Sequence, residues 1–111
     1  MSASAAPLQV STLAELLRGR GYRITVCLAD VLVAECGVLG VKRAMRRVVG
    51  QRNEDGSMRL AYLVARPGPL GGPIYSHELV ARDSACRNLV DFAFWIAKQD
   101  AQRFPAEATT A

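Results

Sequence analysis

Apolar residues recur along this 111-residue chain with two different periods, one close to a helical turn and one of two. Thr12 followed by Glu15 has the form of a capping box, with Leu13, Leu16 and Leu17 as the apolar stripe and Gly19 or Gly21 as the stop, which predicts a first short helix. Residues 22–28 then alternate, with Tyr22, Ile24, Val26 and Leu28 on one side and Arg23, Thr25 and Cys27 on the other. That is the pattern of a half-buried strand. Residues 31–36 continue as a second strand, with a helix over 28–35 as the competing reading because Ala29-Asp30 is a poor tight-turn pair.

The 41–52 stretch, VKRAMRRVVGQR, switches period. Val41, Ala44, Met45, Val48 and Val49 fall at helical spacing, and Gly50 stands where a left-handed helix cap is usual. The spacing predicts a helix with a cationic outer arc of Lys42, Arg43, Arg46 and Arg47. A rival pairing makes 47–52 a strand joined to 58–64 through Asp55-Gly56, a favoured hairpin turn. The helix is preferred because two-residue alternation fails at Arg46-Arg47 and Val48-Val49.

Beyond an NEDG turn, residues 58–66 read as a strand, PGPLGGP at 67–73 as a loop, and 74–81 as a returning strand. Asp83 or Ser84 is placed to cap a final helix running to about Gln99, with Ala85, Cys86, Leu89, Val90, Phe92, Ala93, Ile96 and Ala97 on its apolar face. Trp95 falls off that face, either beneath the 67–73 loop or as an anchor for a protein partner. The elements imply an α+β fold in the approximate order αββαββα, a mostly antiparallel sheet of about four strands with helices packed on one face. Residues 10–104 form a single domain between an N-terminal tail (1–9) and a C-terminal tail (105–111).

Composition bounds the chemistry. Half the chain is hydrophobic, enough for one core without metal or disulfide support. No apolar run approaches the roughly 20 residues of a membrane span, and the N-terminus lacks the features of a signal peptide, so no membrane partner and a cytoplasmic location are expected. Three cysteines at spacings unlike any zinc motif fit reduced thiols. His77 is the sole histidine, which excludes any mechanism using two imidazoles; a Cys-His pair of His77 with Cys36 or Cys86, oriented by Asp83 or Glu78, is chemically conceivable. No motif supports it, and the chain is read as a non-enzyme without cofactor or metal.

Charge supplies the functional reading. The net charge is +4, and Lys42, Arg43, Arg46, Arg47 and Arg52 supply five of the 14 basic residues in a stretch free of acids. Arg18, Arg20 and Arg23 form a second acid-free group. Such a surface binds phosphate or an acidic protein. The first expectation is a non-catalytic protein using the basic helix on nucleic acid or a nucleoprotein complex. The alternative is a protein-interaction module, a small inhibitor or adaptor docking through the basic residues or Trp95, with homodimerisation as one form.

Overall fold

The computed structural model describes residues 8–37, 45–67 and 75–104. Helix α1 (Val10–Gly19) is followed by strands β1 (Arg23–Cys27), β2 (Val31–Cys36), β3 (Met45–Arg52), β4 (Met58–Pro67) and β5 (Tyr75–Cys86), and by helix α2 (Leu89–Arg103). The five strands form one antiparallel sheet in sequence order, so every neighbour along the chain is also a neighbour in space. The fold is α+β, with five strands and the order αβββββα in place of αββαββα.

The largest departure is β3. Residues 45–52 pair along their length with β2 and β4, as the rival hairpin reading required, and are not helical. The β3–β4 connection explains why pairing wins. Asn53 N–H donates to Ser57 O (2.8 Å), Gly56 takes a φ of +86°, and the Asp55 carboxylate accepts both the amide and the hydroxyl of Ser57. Those bonds hold the Asp55 carboxyl below the usual carboxylate range, and the closed turn sets the register of both strands. Lys42 and Arg43 lie outside the described residues.

One face of the sheet is packed. Leu32, Ala34, Val48, Met58, Leu60, Tyr62 and Val64 point to α1 and α2 and are at most 1% exposed. Gly50 belongs to this face too: a Cβ there would stand 3.2 Å from the Met58 Cε and 3.5 Å from a Leu60 methyl carbon, so the missing side chain makes room for its neighbours. α1 contributes Val10, Leu13, Ala14 and Leu17, but starts earlier than expected, with Gln9 as N-cap and Thr12 already inside the first turn. Leu8 is buried in the core ahead of it.

The end of the chain is also displaced from expectation. Asp83 and Ser84 belong to β5, and Asn88 caps α2, its side chain accepting from Asp91 N–H at 2.8 Å. The helix buries Phe92, Ile96, Gln99 and Asp100, whereas Val90 lies outside, 72% exposed. β1 carries an irregularity between Ile24 and Val26 that brings Val26 opposite Val33, away from the core, where it is 37% exposed.

Candidate interaction surface

The basic residues singled out in the sequence do not gather on one helix. Arg46 points into the core from β3 and is 6% exposed. Its Nε lies 3.7 Å from Asp100 Oδ1, its guanidinium carbon stands 4.5 Å from the Phe104 ring centre and 5.4 Å from that of Tyr22, and an Nη donates to Cys36 Sγ at 3.1 Å. Arg47, on the opposite face, donates to Glu35 at 2.7 Å directly across the β2–β3 ladder. Arg52 donates to Leu8 O, Arg18 pairs with Glu15, and Arg20 donates from Nε and Nη2 to Asp100 Oδ2 at 3.1 and 3.0 Å. Arg23 alone of the described members of that set is exposed without an ion pair to a described residue.

Asp100 is the hub of a buried polar cluster that no periodicity in the sequence announces. Besides the two arginines, its Oδ1 accepts from the hydroxyls of Tyr22 and Tyr62, each at 2.7 Å. Burial pushes both phenols well above the ordinary tyrosine range, with Asp100 adding to the effect. The cluster joins the α1–β1 junction, β3, β4 and α2. Charges removed from water in this way are tolerable only when paired and hydrogen-bonded, which describes a clamp for α2. Trp95 flanks it, half-buried and edge-on to Tyr62 with ring centres 6.1 Å apart. Phe94 is the aromatic that α2 presents to solvent, at 76% exposure.

The second face of the sheet is covered by neither helix. Two ladders of side chains cross it. Val26, Val33, Val49, Ala61 and Arg82 oppose one another in turn from β1 to β5, and beside them run Arg23, Glu35, Arg47, Leu63 and Leu79. A third row places Val31, Gln51 and Arg59 together. The valines, Ala61 and Leu63 are mostly half-exposed, Leu79 is 43% exposed, and Arg23, Arg59 and Arg82 reach solvent. Glu35 offsets Arg47. The result is an apolar strip with arginines at its margins.

His77 is exposed at the far end of this face, opposite Ala65. Cys86 lies nine positions away on the same strand, about 30 Å at the usual rise, and Cys36 is three strand spacings off, about 14 Å. The structure therefore does not bring a cysteine and the histidine together. No helix among the described residues is long and apolar enough to cross a membrane. Comparison of the chain with protein-family models, curated proteins and solved structures finds no match.

Proposed function

We propose that this protein is a non-catalytic protein-interaction module that presents the uncovered face of its sheet to an acidic protein partner. The observation that carries the reading is the combination of half-exposed valine and leucine side chains with Arg23, Arg59 and Arg82 on a face that neither helix covers. Apolar area of this kind supplies affinity once desolvated, and the surrounding guanidinium groups give selectivity for carboxylates and speed the encounter.

Nucleic acid is the competing ligand for any cationic surface. One feature favours protein over it. Arg46 and Arg47 of 41–52, and Arg18 and Arg20 of the second basic group, form ion pairs within the chain, which lowers the positive potential expected of both groups.

The test is co-purification of the tagged, full-length chain from its host, with and without nuclease, beside the Arg59→Glu/Arg82→Glu variant. Both positions are exposed, so the variant is expected to keep the fold to within about 0.5 kcal/mol. A nuclease-resistant protein partner that is lost with the charge reversal supports the reading. Partners that vanish on nuclease treatment overturn it in favour of nucleic acid.

A further inference from the structure

The geometry points to a second interface, distinct from the open sheet face: the outer stripe of α2 pairs with the same stripe of a second copy of this chain, as antiparallel helices about a two-fold axis. α2 packs Phe92, Ile96, Gln99 and Asp100 inward, and on its far side Val90 and Phe94 are 72% and 76% exposed. Ala93 and Ala97 extend the stripe, and together with Lys98 these residues line a shallow groove along the helix. Two large apolar side chains one turn apart on a solvated helix, beside small residues that permit close approach, form a packing surface.

The charges flanking the stripe select the occupant. Asp91 and Lys98 are both exposed, seven positions apart, and at 100° per residue they fall within about 20° of each other on one flank of Phe94. A two-fold axis perpendicular to the helix and passing between positions 94 and 95 reverses the helix direction while keeping this flank on the same side. It carries Asp91 of one copy to the height of Lys98 of the other, and the reverse, so both ion pairs form at once. The same operation sets Ala93 beside Ala97 on the opposite flank and brings the two Phe94 rings together at the centre. A surface that is self-complementary under a two-fold rotation is the requirement for an isologous dimer. Lys98 makes no ion pair with a described residue in the single chain, so it is available for this contact. An interface confined to one 15-residue helix is at the small end of the range for stable complexes, which implies reversible, concentration-dependent association. The two uncovered sheet faces would then point outward, giving a bivalent binder.

Sedimentation equilibrium of the full-length protein over the micromolar range tests this. The expected result is a reversible monomer–dimer equilibrium that Phe94→Glu abolishes and that Lys98→Glu weakens by about tenfold or more, through two like-charge contacts. Asp91→Lys is expected to weaken it likewise. Mixing the Lys98→Glu and Asp91→Lys proteins restores a dimer, now a heterodimer, because each acid again meets a lysine. Asp91 also accepts from Asn88 at the helix start, so circular dichroism checks that α2 is intact in that variant, and if it is not, Phe94→Glu and Lys98→Glu decide the matter. A monomer at every concentration overturns the proposal, as does a dimer indifferent to Phe94→Glu and Lys98→Glu, or a mixture of folded variants that fails to associate. None of these outcomes bears on partner binding by the open sheet face.

Discussion

Arg46 and Asp100 meet inside the protein with Arg46 Nε 3.7 Å from Asp100 Oδ1, and both side chains are less than a tenth exposed. One comes from the middle of the sheet and the other from the last turns of α2, so their pairing fixes how the helix sits. The same carboxylate receives two tyrosine hydroxyls and Arg20. Removing it strands a buried guanidinium and two buried phenols.

The Asp100→Asn variant is therefore expected to lose about 3–5 kcal/mol of stability, the usual cost of breaking a buried ion pair from one side. Urea unfolding followed by the fluorescence of Trp95, which sits against Tyr62, measures it. A loss below about 1 kcal/mol, the level of an exposed pair, would mean that the cluster is solvated and does not clamp α2.

Alkaline pH should attack the same cluster. Tyr22 and Tyr62 are raised in the fold, by burial first and with Asp100 adding to it, whereas an unfolded chain ionises its tyrosines near pH 10. Their contribution to stability is complete below about pH 10 and falls as the pH rises beyond it, since only the unfolded state then releases the protons. Tyrosinate absorbance is expected to show that two of the 3 tyrosines ionise only as circular dichroism reports loss of the fold. Ionisation of all of them near pH 10 in a protein that stays folded would refute this.

The thiols should separate by environment. Cys27 is exposed, while Cys86 is buried, with its thiol pushed up to about 11 by desolvation. Since the thiolate is the reactive form, a disulfide reagent at about pH 8 is expected to modify Cys27 rapidly and Cys86 only on unfolding. Mass mapping of the labelled positions gives the order, and equal rates at the two sites would contradict the packing of Cys86.

Particular residues show how far the fold could be read from the chain. β1 was legible from alternation as a strand, although its irregularity turns Val26 away from the side expected, β2 was legible from its β-branched run against a rival helix, and the Asp55-Gly56 turn carried the correct pairing of β3 with β4 as the rival reading. The helical reading of 41–52 failed for two physical reasons. Arg46 faces the core because Asp100, Tyr22 and Phe104 receive it, so a charged residue occupies what a hydrophobicity pattern scores as an outward position. Val49 faces the uncovered side, so both faces of the strand carry apolar residues and the period of two disappears. The same long-range cluster misled the reading of α2: with Gln99 and Asp100 buried, Val90, expected on the apolar face, is turned outward. The open sheet face was invisible beforehand, because it exists only once five strands are in register.

Placing a photo-crosslinking residue at Ala61, in the middle of the open face, and irradiating the full-length protein in its host tests whether this face holds a protein partner. The expected result is a covalent protein adduct that survives nuclease, disappears with Arg59→Glu/Arg82→Glu, and does not form from the same probe at Thr12, exposed on α1. No adduct above that control, or one destroyed by nuclease, would contradict it.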